Sequence, residues 1–291
     1  AGKVPDIKGG QAIMHSIDTS MTVSYYGNTA SAIHRSMSLT SWAYPKDATG
    51  KPTATAYYPY IGGAIPEDLS VVNPDYKDYV ESLINPETDK PYVAGEKLSL
   101  QHQKDFIIGL VEGSGYVVGG DGTYVNASSG TKLKYTFTIA GAETDHPAFN
   151  AFFKASEFLN SINFNITVST DAQALSKLAS GDLAIWAAAW SSTIDPDMYQ
   201  VYHKDSTATS TLNWGYKQIL ANTGSKYNTE LALVEELSEL IEQGRETTDQ
   251  AARAKIYSMA LDIVMQLAVE LPPYQRDDLF AYNINKIDQD S

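Results

Sequence analysis

The sequence predicts an α/β chain whose centre is a mixed, mostly parallel sheet flanked by helices. Three observations predict it. Strand-like segments fall at 132–139, 164–168 and 183–190. Helical patterns at 147–162 and 171–180 lie between them. Strand, helix, strand, helix, strand in that spacing is the signature of a parallel or mixed α/β sheet.

Each element has its own warrant. Leu133, Tyr135, Phe137 and Ile139 alternate with Lys134, Thr136 and Thr138, as a half-buried strand requires. Ala148, Phe152, Ala155, Leu159 and Ile162 share one face of the following helix. Phe164, Ile166 and Val168 alternate again, and the next helix turns Ala174, Leu175 and Leu178 inward before stopping at Gly181-Asp182. The apolar run Leu183–Trp190 reads as a third, largely buried strand.

Before this core, Ile7, Ala12, Ile13 and Ile17 stand near helical spacing, and a Tyr-, Ser- and Pro-rich stretch over 24–74 reads as ordered loop. A short helical piece is expected around Tyr79–Ile84, a surface insertion at about 85–102, and a helix from Gln103 to Val111 that ends at Gly113 and Gly115. After the core come two long helices, 229–243 (Leu231, Val234, Leu237, Ile241) and 248–268 (Ala252, Ile256, Ala260, Ile263, Leu267). Thr247 and Gln250 resemble a capping box for the second, Leu271-Pro272-Pro273 ends it, and Leu279–Tyr282 is a final strand-like segment.

Composition narrows the function. The net charge of −14, with no basic run, argues against nucleic acid and against docking on anionic lipid. With no cysteine, disulfides, thiol nucleophiles and Cys-based zinc sites are excluded. No apolar run approaches the roughly 20 residues of a membrane helix. The 19 tyrosines suit either ligand contact or ordinary strands and loops.

Catalytic and metal signals are weak. His15, His34, His102, His146 and His203 show no ligand spacing, so no metal or cofactor is expected. Gly119-Gly120-Asp121-Gly122 has neither the Lys-Ser/Thr of a phosphate loop nor the carboxylates of a calcium loop, and reads as a turn. No serine sits in a nucleophile elbow. Asp195-Pro196-Asp197 follows the third strand, where ligands bind in such sheets; it is either an acid–base pair for a hydrolase or, preferentially, a helix start. Trp190, at the end of that strand, is either core or the floor of a cleft.

In order along the chain, four motifs resemble family 5 extracellular solute-binding proteins, the peptide and nickel receptors of ABC importers. Asp6-Ile7-Lys8, Gln11-Ala12-Ile13 and Ile17-Asp18 resemble the family's "D-V-R-x-A-I-x-x-A-I-D" helix, with Gly10 where an arginine is expected. The segment 107–121 is similar to "L-L-x-E-A-G-Y-x-x-G-D-G", through Gly113, Gly115-Tyr116 and Gly120-Asp121-Gly122. Gly181-Asp182, Trp190 and Asp195-Pro196 match "G-D-Y-D-…-W-…-D-P". Asn213-Trp214, Tyr216, Arg253, Tyr257 and Leu271-Pro272-Pro273 resemble the family's finish.

The resemblance implies a periplasmic-binding-protein-like (type II) fold in which residues 1–291 form a single ligand-closing lobe. The other lobe, with signal peptide and lipid-anchored cysteine, would precede Ala1. It further implies a non-enzymatic, monomeric receptor, lipid-anchored on the extracellular face of the membrane or periplasmic. That receptor would close on a peptide or related small solute and deliver it to the permease subunits of an ABC importer. The expected ligand contacts are Trp190, Ser191, Ser192, Thr193 and Asp195. In peptide-binding members an acid just past the tryptophan receives the α-amino group; here Ser191-Ser192-Thr193 stands in that place and Asp195 is the nearest acid. Two other readings stay open: a secreted hydrolase using Asp195 and Asp197, and an interaction module using the Tyr-rich loops of 24–74.

Overall fold

The structure, a computed structural model, describes residues 7–141, 144–191 and 194–278. It opens with α1 (Ile7–Ser16), α2 (Ser20–Tyr25) and β1 (Ala30–Ala32), then crosses a long ordered loop to α3 (Pro74–Glu81). A small hairpin, β2 (Ile84–Asn85) and β3 (Lys90–Pro91), leads to α4 (Leu100–Gly113) and a second hairpin, β4 (Tyr116–Val118) and β5 (Tyr124–Asn126). The central unit is β6 (Lys134–Ala140), α5 (Phe149–Asn160), β7 (Asn165–Asp171), α6 (Ala174–Ser180) and β8 (Ile185–Ala187). A helical region follows: α7 (Tyr199–Tyr202), α8 (Thr209–Thr211), a π-turn over Leu212–Tyr216, α9 (Lys217–Ala221), α10 (Asn228–Glu246) and α11 (Gln250–Gln266). The last element among the described residues is β9 (Tyr274–Arg276), antiparallel to β1.

The expected sheet is present. Its order is β7-β6-β8, and both pairings are parallel. Phe137, Ile139 and Ile166 turn inward, and α5 covers them with Phe152, Ala155 and Leu159. These residues join Ile13 of α1, Tyr76 of α3 and Phe106 of α4 in one core. A second core gathers Val234, Leu237 and Ile241 of α10 against Tyr257, Ala260, Leu261 and Val264 of α11. Met14, Tyr58 and Met265 link the two, and the Tyr58 hydroxyl donates to the Met265 carbonyl.

Gly10 sits at this junction. A Cβ there would lie 3.1 Å from the Ala268 carbonyl oxygen and 3.2 Å from the Ala268 Cβ. The glycine found in place of an arginine thus lets α1 approach the end of α11 closely.

Several boundaries differ from expectation for identifiable reasons. The first short helix begins earlier, at Pro74, because Asn73 caps it through the Tyr76 N–H. Ser99 similarly starts α4 at Leu100, which places the beginning of that helix inside the expected insertion. Asp249, not Thr247, caps α11, accepting the Ala252 N–H at 2.7 Å. The Thr247 hydroxyl instead donates back to the Gln243 carbonyl at the end of α10.

Leu175 is exposed rather than inward. α6 has only seven residues and buries Ala174 and Leu178, four apart on one face. The third strand is three residues long and half-buried, because among the described residues β8 is an edge strand paired only with β6. The expected strand at Leu279–Tyr282 lies outside the described residues.

Candidate ligand site at the strand ends

The carboxyl ends of parallel strands, where the strand order reverses, are where open α/β sheets place ligands. Here that edge is formed by the ends of β6, β7 and β8, and Trp190 stands three residues beyond β8. It is 63% exposed, which excludes the core reading. Ser191 is exposed beside it. Ser192 and Thr193 lie outside the described residues.

Trp190 is one of three tryptophans packed together. Its ring centroid is 6.1 Å from that of Trp186 in β8 and 5.8 Å from that of Trp214 in the π-turn. Trp186 and Trp214 are 5.4 Å apart, and all three pairs are tilted by 53–68°. Tilted packing suits the ring quadrupoles better than a face-to-face sandwich. Trp186 and Trp214 are half-buried, so the cluster has a fixed base and an open upper ring.

Local chemistry explains the placement of Trp214. Its indole Nε1–H donates to the Leu178 carbonyl at 2.7 Å, and Asn213 Nδ2 donates to the Ala179 carbonyl at 2.9 Å. Both acceptors lie in the last turn of α6, where carbonyls lack the i+4 helical bond, and the Leu178 carbonyl also accepts the Gly181 N–H at 3.1 Å. Gly181 makes the approach possible. It is left-handed, φ 76°, and a Cβ there would be 2.3 Å from the Asn213 carbonyl oxygen. The sequence marks Gly181 as a helix stop, but shows Trp186 only as a strand residue and Trp214 only as a motif position. The signal for Trp186 was its separation of four from Trp190, which puts both on one face of an extended chain.

The two acids after β8 build a turn. Asp195 accepts the Asp197 N–H at 3.0 Å, and Asp197 accepts the Tyr199 N–H at 3.1 Å. Asp197 also pairs with Arg245 at 3.4 Å. The expected helix start is thus shifted: Asp197 serves the first turn of α7, and Asp195 supports the bend before it. Both are exposed.

Among the described residues, His203, Asp205 and Glu242 lie close enough to surround a cation. Their hydrogen bonds show a different arrangement. His203 Nδ1 accepts the Asp205 N–H at 3.0 Å, so the ring proton is on Nε2, which donates to Glu242 at 3.1 Å. Ligation through Nε2 would forfeit that proton and set Nδ1–H against the Asp205 N–H.

The Tyr-rich loop is largely used internally. Tyr44 and Tyr58 are buried, and Tyr57 and Tyr60 are half-buried. A concavity of about 330 Å³ lined by Ile65, Leu69, Val80 and Tyr92 shares no residue with the strand-end site. No described helix is long and apolar enough to cross a membrane.

Sheet order, flanking helices and an open strand edge define a periplasmic-binding-protein-like α/β fold. Solved structures share it. The oligopeptide-binding protein AppA from Bacillus subtilis, in complex with a nonapeptide, matches with a TM-score of 0.57 at 16% identity, over 93% of this chain and 41% of its own. NikZ from Campylobacter jejuni, in complex with Ni(L-His), gives 0.53 at 13% identity, over 92% and 41%. NikA from Brucella suis, in complex with Fe(III)-EDTA, gives 0.51 at 15%, over 95% and 43%. These are family 5 solute-binding proteins, the family whose motifs the sequence resembles. The chain spans about two fifths of their length. No protein-family model and no curated protein matches the chain.

Proposed function

We propose that the chain is the ligand-closing lobe of a two-lobed solute receptor. It would capture a peptide or related small solute outside the cytoplasm, as a lipid-anchored or periplasmic protein, and pass it to an ABC permease. The observation that carries this reading is the exposed Trp190 cluster at the carboxyl edge of β8, on a fold shared with about two fifths of each neighbouring receptor. Trp190, Ser191, Ser192 and Thr193 would face the solute, with Asp195 shaping the bend beneath them. The absence of an acid immediately after Trp190 favours a solute whose amino end is blocked or bound elsewhere, since a desolvated ammonium without a counter-charge is costly.

Isothermal titration with a mixed peptide library tests the reading. The 291-residue chain alone should bind in the millimolar range or more weakly, and a form carrying the second lobe from the upstream reading frame should bind at least a hundredfold tighter. Tight binding by the chain alone, or an upstream frame that encodes no such lobe, would refute it. Turnover of a glycoside or ester that Asp195→Ala abolishes would establish the hydrolase instead.

A further inference from the structure

We propose that the cluster of Trp186, Trp190 and Trp214 is a stacking subsite that selects solutes presenting a flat aromatic ring. This rests on the receptor reading above and specifies what that site recognises.

Three kinds of ligand have to be told apart. A quaternary ammonium or other cation needs ring faces set apart so that it can sit between them. Here the centroids are 5.4–6.1 Å apart, and the rings fill the space among themselves. A sugar ring stacks on tryptophan but also needs donors and acceptors for its hydroxyls. Ala187, Ala188 and Ala189 lead into Trp190, while Ser191, Ser192 and Thr193 follow it in sequence, so a sugar is separated from a flat ring by titration with methyl β-glucoside. An aromatic ring needs neither a slot nor a polar rim. It would extend the tilted packing already present by one ring, against the open side of Trp190.

Charge at this edge agrees. Among the described residues, Asp171 at the end of β7 is held by the Gln173 N–H and by Lys177. Asp145 accepts the Tyr25 hydroxyl at 3.0 Å, and Asp195 and Asp197 are engaged in the turn. The base of the cluster is rigid, because Trp214 is tied to Leu178 and Trp186 lies in the ladder opposite Thr138. Its orientation is therefore set before ligand arrives, and ordering it costs little on binding.

The test uses the indole N–H signals of the ¹⁵N-labelled 291-residue chain, titrated with N-acetyl-phenylalaninamide, N-acetyl-leucinamide and methyl β-glucoside. Trp42, packed against Tyr257 and Arg253 in the second core, is the internal control. The Trp186 and Trp190 signals should shift with the phenylalanine amide at about twofold to tenfold higher affinity than with the leucine amide, the range of one aromatic pair. Trp42 should not move. Trp190→Ala should erase the preference with the Trp42 signal intact, and Trp190→Phe should retain it. Equal affinity for the two amides, preference for the glucoside, or an unaffected Trp190→Ala variant would overturn the proposal. A two-lobed form that binds solutes without ring preference would overturn the stacking subsite and leave the receptor reading standing. One that binds no solute would overturn that reading itself.

Discussion

The sheet-centred half and the helical half solve the same packing problem with different materials. Around β6 and β7 the core is rich in rings, with Tyr76, Phe106, Phe137, Phe152 and Phe164, and it encloses His15. Between α10 and α11 it is mostly aliphatic, with Tyr257 set into the space that Gly244 leaves; a Cβ there would be 2.9 Å from the Tyr257 ring. The difference matters most for charge. His15 is surrounded by Tyr58, Tyr76 and Phe106, and its Nδ1–H donates to the Pro59 carbonyl at 2.8 Å. Burial pushes its pKa down to about 4. Glu270, beyond α11, keeps part of its side chain at the surface while its carboxyl is enclosed. Burial pushes that carboxyl up, against the Tyr202 hydroxyl that donates to it. One half buries a base that resists protonation, and the other buries an acid that resists ionisation.

The largest expected effect is at the joint between the halves. Gly181→Ala combines a left-handed backbone with a Cβ driven into the Asn213 carbonyl. It should cost more than about 4 kcal/mol by urea denaturation and disperse the Trp186 and Trp214 indole signals. A loss under about 1 kcal/mol would show that the joint is looser than described. Next come matched truncations, Leu159→Ala in the first core and Leu237→Ala in the second. Both side chains are wholly buried, and each should cost about 2–5 kcal/mol. With Tyr58 and Met265 linking the cores, each variant should shift one shared calorimetric transition; two separated peaks would make the halves independent.

The pH response divides the halves by sign. The folded pKa of His15 lies below the unfolded value, so its stabilising contribution is full above about 6.5 and is lost as pH falls towards 4. The loss is about 3 kcal/mol. His15→Phe should flatten that acid limb in urea titrations. The folded pKa of Glu270 is raised, so its contribution is present below the unfolded carboxylate value and is lost as pH rises through the folded one. Glu270→Gln should flatten the opposite slope. If either variant left its limb unchanged, the buried group would not be the one titrating. The smallest effect separates two caps: Asp249→Ala should cost about 1 kcal/mol, and Thr247→Ala less than about 0.5 kcal/mol.

Much of the scaffold was legible because its signals are local. Alternation in β6 and β7 and the faces of α5, α10 and α11 follow from period alone, and Gly181 marks its helix end by conformational need. The strand-end site was legible in location and not in makeup. Ile185, Trp186, Ala187, Ala188, Ala189 and Trp190 are apolar without interruption and read as buried. Only the sheet order shows that, among the described residues, β8 is an edge and that Trp190 emerges from it. Trp214 joins through a contact with α6, more than 30 residues earlier, which no periodicity encodes. Thr247 and Asp249 are both good cap residues, and the path between α10 and α11 decides which one meets the open N–H groups.

The pairing of β1 with β9 also sets a timetable. Ala30–Ala32 leaves the ribosome long before its strand partner among the described residues, Tyr274–Arg276. At about 5–20 residues per second, the first strand waits roughly 10–50 s with its edge unsatisfied. The ladder therefore cannot close until β9 has been made, and chains arrested before it would expose a short strand edge to whatever holds nascent chains unfolded.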